Sequence, residues 1–214
     1  MSILSYIFPQ TIAKTGSPYN KDIRVVEKSG NNILLVNGIE QSGPYTTRLW
    51  TNGLKALYPT LKKPVSQILI FGVGGGTMFP MLHREYPDAH ITAVDIDSEI
   101  IRINRKYFDG EERQYVTFVR DDAKRFVQDE YNRKRFDVII IDLYIANDVP
   151  DFVTDTTFHA SVKQMLTVRG VVLFNYFSFH DQPKKKHILV EKLKKIYSDV
   201  MMRDVLRNVF FYCS

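Results

Sequence analysis

The sequence predicts an α/β fold in which helices cover both faces of a mostly parallel β-sheet, and two observations carry this prediction. From residue 67 onward, short segments that are apolar almost throughout alternate with amphipathic stretches. Strands buried on both faces have this composition, and the helices between them form the crossovers of βαβ units. The first such strand also runs directly into a glycine-rich turn and a helix, as in nucleotide-binding units of this class.

The N-terminal part is predicted to be an appendage to that sheet. Two strand-like segments, 23–28 and 33–37, flank the turn sequence SGNN at 29–32. Residues of these types tolerate the positive φ angles of a hairpin turn, so we expect a small β-hairpin here. Apolar side chains at helical spacing then predict a helix over 46–57, which ends near Pro59.

The main sheet is predicted to have seven strands, of which the last two form an antiparallel hairpin at 200–205 and 209–212. A basic helix over 182–197 precedes that hairpin. We therefore divide the chain into a hairpin appendage, residues 1–45, and a cofactor-binding catalytic domain, residues 46–214. The five parallel strands are expected at 67–71, 90–94, 115–119, 136–141 and 170–176.

Composition and charge narrow the function. The single cysteine, Cys213, excludes an intramolecular disulfide and any CxxC site, and the five histidines show no spacing typical of a metal site. No apolar run reaches the roughly 18 residues of a membrane-spanning helix, and no signal-peptide pattern is present. The net charge of +5 comes from scattered basic residues and the run 184–186, interpreted as a solvated helix start. We expect a cytoplasmic protein without a metal, membrane or nucleic-acid site.

Glycines and carboxylates are predicted to meet at one edge of the sheet. The glycines of GVGGG, residues 72–76, let the backbone approach a ligand closely. Asp95 ends the second strand, where doubly wound folds place an acid for ribose hydroxyls. Asp121 and Asp122 follow the third strand, where they either face an adenine or cap the next helix. Asp142 follows the fourth strand, so four strand ends converge on one crevice.

These four ordered motifs resemble the class I S-adenosylmethionine-dependent methyltransferase fold, a Rossmann-like α/β fold, and most closely its spermidine synthase-like branch, over roughly residues 20 to 200. The resemblance implies that Asp142 deprotonates an attacking amine. It places Gln41 and Tyr45 near the wall of the active site, although a structural tyrosine is an equal alternative. Tyr144 and Tyr176 are further candidates for the wall of the substrate pocket, whereas core packing is the alternative for Phe177 and Phe179. The implied cofactor-binding residues are Gly72, Gly74, Gly75, Gly76, Asp95, Asp121, Asp122 and Ala123.

The chain departs from the polyamine synthases at two positions. Those enzymes carry an Asp inside the glycine loop, where this chain has Gly75, and an Asp three residues after the catalytic acid, where it has Ile145. An Asp in the loop would repel the carboxylate of intact S-adenosylmethionine, so Gly75 favours that cofactor. The missing second acid argues against putrescine as the acceptor.

Three functions follow from these residues. We favour methyl transfer from S-adenosylmethionine to a small-molecule acceptor, with aminopropyl transfer from decarboxylated S-adenosylmethionine as the first alternative. A non-catalytic cofactor-binding homologue is the second. The glycine turn and Asp95 also suit a nicotinamide-dependent dehydrogenase, but the antiparallel closing hairpin argues against one. The resemblance and an apolar N-terminal hairpin also predict a homodimer.

Overall fold

The computed structural model describes residues 8–58, 61, 64–108, 113–129, 135–145, 148–177 and 183–214. Pro59 and Gln182, with which the sequence analysis ended the first helix and began the last one, lie outside these ranges. No helix in the described part of the chain is long and apolar enough to cross a bilayer.

An antiparallel sheet of four strands forms the N-terminal part, where the sequence predicted a hairpin alone. The predicted hairpin is its central pair, and Ser29 and Gly30 in the connecting turn have positive φ angles, 51° and 75°. The two outer strands were missed because one is partly exposed along its whole length and the other has four residues. In chain order the strands are β1 (Gln10–Thr15), β2 (Ile23–Lys28), β3 (Asn31–Val36) and β4 (Ile39–Ser42).

The described helices follow the predicted alternation with the strands. The third of them, for example, begins after Asp97, whose side chain accepts a hydrogen bond from the backbone N–H of Glu99 and so caps the helix. A short 3-10 helix, Asp151–Thr154, precedes the fifth. The α-helices are α1 (Pro44–Leu57), α2 (Phe79–Glu85), α3 (Ser98–Tyr107), α4 (Ala123–Phe126), α5 (Thr156–Gln164) and α6 (Pro183–Lys194).

The main sheet confirms the predicted α/β class. Five strands are parallel, and the C-terminal hairpin adds two antiparallel ones. The strands are β5 (Gln67–Phe71), β6 (His90–Asp95), β7 (Val116–Arg120), β8 (Phe136–Ile141), β9 (Leu166–Phe177), β10 (Val200–Val205) and β11 (Asn208–Cys213). Their order across the sheet is β10-β11-β9-β8-β5-β6-β7.

Two apolar layers cover this sheet, one on each face. Ile68 and Ile70 of β5 pack into the layer that contains α1, α2, α3 and the N-terminal sheet. The alternating residues Leu69 and Phe71 pack into the layer that contains α4, α5 and α6. Because both faces are covered, the central strands β5, β6 and β8 are largely apolar, and Asp95 and Asp142 lie at the carboxyl ends of β6 and β8.

Candidate functional site

A crevice opens at the carboxyl ends of the parallel strands, where β5 lies between β6 and β8. In doubly wound sheets ligands bind at such a switch point, because the crossovers leave the sheet in opposite directions. The backbone N–H of Gly72 donates to the carbonyl of Val94 over 2.8 Å, and that of Asp142 donates to the carbonyl of Phe71 over 2.9 Å. The predicted cofactor-binding and catalytic residues that line this cofactor cleft are Gly72, Gly74, Asp95, Asp121, Asp122, Ala123 and Asp142, and Gln41 and Tyr144 of the predicted substrate pocket line it as well.

The first two predicted glycines are required by the shape of the turn. Gly72 has a φ of 96°, and a Cβ at this position would lie 2.1 Å from the carbonyl oxygen of Asp142. Gly74 has a φ of 49°. Its carbonyl accepts a hydrogen bond of 3.2 Å from Nδ2 of Asn104, a fully buried residue of α3. The turn therefore packs against the backbone of Asp142 on one side and is hydrogen-bonded to Asn104 on the other. Residues of the turn also line the cleft.

Gly75 and Gly76 are not among the described residues that line the cleft, and their contact with a cofactor stays a prediction. A Cβ on Gly75 would lie 2.3 Å from Cβ of Ser42, and one on Gly76 would meet the ring of Phe79. The space beside Gly75 is thus filled by β4 of the N-terminal sheet, and it is not left free for a cofactor carboxylate. The argument that Gly75 favours intact S-adenosylmethionine loses its geometric basis.

Asp95 is held by the backbone at the end of β6. Its Oδ2 accepts a hydrogen bond of 2.9 Å from the N–H of Val73, and its Oδ1 accepts one of 2.9 Å from the N–H of Asp97. Burial raises the pKa of the Asp95 carboxyl to about 6; the two backbone hydrogen bonds oppose this shift, and the charge of Asp97 adds to it. A rigid acid at this place suits ribose hydroxyls, and that role stays a prediction.

Asp121 and Asp122 line the cleft, but both also have structural partners. Oδ1 of Asp122 accepts a hydrogen bond of 2.7 Å from the N–H of Lys124 and caps α4, which was the alternative interpretation. Asp121 pairs with Arg125 at 2.5 Å. Ala123, the first residue of α4, lies beside them in the wall of the cleft.

The loop between β1 and β2 forms a wall that the sequence did not predict. Tyr19 and Asn20 of this loop line the cofactor cleft. Oδ2 of the buried Asp97 accepts hydrogen bonds from Oγ of Ser17, over 2.5 Å, and from Nδ2 of Asn20, over 2.8 Å. One carboxylate therefore caps α3 and also ties the N-terminal sheet to the cleft.

Asp142 occupies the position that the sequence assigned to the proton acceptor. Nδ2 of Asn175 donates a hydrogen bond of 2.8 Å to its Oδ1. Burial raises the pKa of the Asp142 carboxyl to about 7; the bond from Asn175 opposes this shift, and the charge of Asp95 adds to it. Such a group can take up or release a proton near neutral pH. Two desolvated carboxylates in one cleft also favour a cationic ligand.

A buried polar network behind Asp142 was missed by the sequence analysis. Asn175 of β9 and Asn208 of β11 are both buried, and Nδ2 of Asn208 donates to Oδ1 of Asn175 over 2.8 Å. The hydroxyl of Tyr144 donates to the carbonyl of Asn175 over 3.3 Å. The signal was a polar residue in each of two strands that are otherwise buried and largely apolar. Polar groups at such places need partners, and they fix the side chains they contact.

A second pocket adjoins the cofactor cleft, and Asp142 lines both. Three of the four side chains predicted for the substrate pocket line it: Gln41, Tyr45 and Tyr144. Burial raises the pKa of the Tyr144 hydroxyl well above its usual value, so this group stays protonated. The remaining lining residues are Ile39, Glu40, Thr46, Leu49, Trp50, Asn175 and Asn208.

Tyr176, the fourth predicted pocket residue, is not among the described residues that line either pocket. Its ring packs edge-on against Phe174 and Phe211, with centroid distances of 5.9 and 6.4 Å. Residue 176 of β9 faces the apolar layer with α5 and α6, and the ring packs against that layer. Asn175, its neighbour in the strand, faces the site instead.

The sequence is similar to proteins of known families. Residues 55–211 match the spermine/spermidine synthase domain. The chain is 28% identical to a polyamine aminopropyltransferase of Vibrio vulnificus over 52% of this chain and 38% of that protein. It is 27% identical to an eEF1A lysine and N-terminal methyltransferase homolog of Drosophila pseudoobscura over 72% of this chain and 24% of that protein.

The solved structures show the same fold. A probable spermidine synthase from Corynebacterium glutamicum superimposes with a TM-score of 0.77 at 19% identity, over 94% of this chain and 79% of that one. The chain spans less than half the length of the curated relatives that it matches.

Proposed function

Because the chain belongs to the spermine/spermidine synthase family, we propose that it transfers an aminopropyl group from decarboxylated S-adenosylmethionine to an amine. One observation carries the proposal: Asp142, a buried carboxyl whose pKa is raised to about 7, lies where the cofactor cleft and the second pocket meet. The sequence analysis favoured methyl transfer, and the family match and the aminopropyltransferase relatives support its alternative better.

The residues of the cofactor cleft suit the adenosyl part of such a donor. Asp95 presents a fixed carboxylate for ribose hydroxyls, and the turn at Gly72 and Gly74 leaves backbone accessible beside it. Ala123 and the two aspartates before it form the wall at the end of β7. The donor supplies a sulfonium, an electrophile that is already activated.

The residues around Asp142 suit the proton transfer. The amine nitrogen attacks the aminopropyl carbon that is bonded to the sulfur. A C–N bond forms as the bond between this carbon and the sulfur breaks, and 5′-methylthioadenosine leaves as a neutral thioether. Asp142 takes the proton that the amine loses, which its raised pKa favours. Asn175 holds Oδ1 of Asp142 in place, so Oδ2 is the oxygen left for the amine. Positioning supplies much of the remaining rate.

Methyl transfer remains the second candidate, on a specific observation. The acid that polyamine synthases carry three residues after the catalytic one is absent, since Ile145 stands there. The similarity to an eEF1A methyltransferase homolog points the same way. The two reactions differ in the group that is transferred, so the mass of the product separates them.

The test is product formation by the purified protein. With decarboxylated S-adenosylmethionine and a primary amine, we expect an acceptor heavier by one aminopropyl group. Asp142→Asn should reduce kcat/KM by about 100-fold or more, the size of a general-base contribution. Asp88→Asn, the same change in an exposed turn at the opposite end of β6, serves as the matched control. Methylated product from S-adenosylmethionine, with no aminopropyl product, would favour the second candidate.

Several expectations stay predictions. A protein that binds the cofactor without catalysis would give neither product, and the same assay tests for it. The two-part division at residue 45, the homodimer and the cytoplasmic location have no structural test in the single described chain.

A further inference from the structure

The second pocket carries two carboxylates among its described lining residues, Asp142 and Glu40. Asp142 lies at the border with the cofactor cleft, whereas Glu40 lines the second pocket alone. Glu40 comes from β4, on the side of the N-terminal sheet. The pocket therefore offers negative charge from two different elements of the chain.

The start of α1 holds the Glu40 side chain in place. Its Oε1 accepts hydrogen bonds from the N–H of Thr46, over 2.9 Å, and from Oγ1 of Thr46, over 3.3 Å. Gly43, which has a φ of 155°, makes room for this carboxylate, since a Cβ there would lie 2.7 Å from Cδ of Glu40. Within the described residues, Oε2 of Glu40 has no hydrogen-bond or ion-pair partner. A fixed carboxylate with one unused oxygen can receive a cation without further ordering.

Three apolar side chains line the second pocket together with the two acids. Leu49 and Trp50 of α1 are buried in the core, and Ile39 of β4 is partly exposed. The methylene groups of a bound amine would pack against these side chains. The pocket thus offers apolar surface beside the carboxylates of Glu40 and Asp142, and its other described polar lining residues are uncharged.

On these contacts, we propose that Glu40 binds the second ammonium group of a linear diamine acceptor whose first amine meets Asp142. This inference rests on the proposed aminopropyl transfer. Polyamine synthases have a second Asp three residues after the catalytic acid, where this chain has Ile145. Glu40 would supply a second acid from a different part of the chain. A sole role of Glu40 as a helix cap is the alternative, and it predicts no dependence on the second amine.

The test compares 1,4-diaminobutane with butylamine, which has the same chain length and one amine. We expect the wild type to use the diamine at least about tenfold better in kcat/KM, the size of one charge-assisted hydrogen bond. Glu40→Gln keeps an oxygen for Thr46 and removes the charge, so this preference should fall towards one. Glu191→Gln, an exposed residue of α6, is the matched control and should keep the preference. An unchanged preference in Glu40→Gln would overturn the inference.

A second measurement separates this inference from the proposed function. If no amine gives product with the wild type, aminopropyl transfer fails, and Glu40 is then tested by calorimetry of 1,4-diaminobutane in the presence of 5′-methylthioadenosine. Tenfold weaker binding by Glu40→Gln would support the site; equal affinity, or wild-type binding of butylamine as tight as that of the diamine, would overturn it. Thermal melting shows whether Glu40→Gln keeps its fold. The comparison of the two amines with the wild type does not depend on the folding of any variant.

Discussion

Asp142, the proposed proton acceptor, lies in an unfavourable environment for its charge. Burial raises its pKa to about 7, and the one side-chain hydrogen bond to it within the described residues, from Asn175, favours the charged form. The ionisation of Asp142 therefore affects both proton transfer and the stability of the fold. Two predictions at the residue scale follow from this link.

The first concerns the pH dependence of catalysis. Asp142 must be ionised to take a proton, so kcat/KM of the wild type should fall as the pH drops below about 7. Asn175→Ala removes a hydrogen bond to the ionised form, which raises the pKa of Asp142 and moves the midpoint of the profile to higher pH. The ionisation of the amine is common to both proteins, so the difference between the two profiles is informative. Coincident midpoints would argue against Asp142 as the base.

The second concerns the free energy of unfolding. The pKa of Asp142 is higher in the folded state, so the folded state binds more protons between about pH 4 and 7, and stability falls as the pH rises through this window. Asp142→Asn removes this penalty and keeps an oxygen for Asn175. We expect it to unfold with a free energy at least about 1 kcal/mol higher than the wild type at pH 8. Urea unfolding at pH 5 and pH 8 measures this, and Asp88→Asn should show no such gain.

At the scale of elements, the glycine turn and β4 are packed too closely for a side chain between them. Gly75 has no positive φ, so an alanine would be tolerated by the backbone, but its Cβ would lie 2.3 Å from Cβ of Ser42. The conflict is thus steric and local. The close approach of Gly75 and Ser42 packs the N-terminal sheet against the glycine turn.

This contact predicts coupling between two substitutions. Gly75→Ala should lower the free energy of unfolding by about 1–3 kcal/mol, the usual cost of overpacking. Ser42→Gly makes room, and it loses the hydrogen bond of 2.7 Å between Oγ of Ser42 and Oγ1 of Thr77. The double variant should therefore be more stable than the sum of the single effects predicts. Additive effects would mean that the turn relaxes away from β4.

The strands show how far the sequence predicts elements. β5, β8 and β10 occur with the predicted bounds, because each is a short segment between clear breaks. β4 was missed although the turn before it contains Asn37 and Gly38, with φ angles of 49° and 82°. Asn-Gly is a strong hairpin signal, and it predicts a strand after the turn even where that strand is short.

The site was predictable where side chains follow strands and hidden where they lie within them. Asp95 and Asp142 follow apolar strands and meet in the cleft as expected. Asn175, Asn208 and Glu40 have no motif, and their positions depend on strand register and on the start of α1. Gly75 shows the opposite error, since its place in a motif did not reveal that it faces Ser42.

At the scale of the whole molecule, the N-terminal sheet lines part of both pockets, and the strand ends of the main sheet line most of the cofactor cleft. Glu40 and Gln41 come from β4, whereas Asp95 and Asp142 follow strands of the main sheet. Asp142 faces both pockets. The charge of the combined site is negative, which favours ligands with more positive charge.

The choice of donor tests the account most directly. Decarboxylated S-adenosylmethionine lacks a carboxylate, whereas the intact cofactor would bring a further negative charge into a cleft that already holds Asp95 and Asp142. Calorimetry of both donors with the purified protein should show the decarboxylated form binding at least about tenfold more tightly, a difference of roughly 1.4 kcal/mol. Equal affinity, or tighter binding of intact S-adenosylmethionine, would contradict aminopropyl transfer as the function of this site.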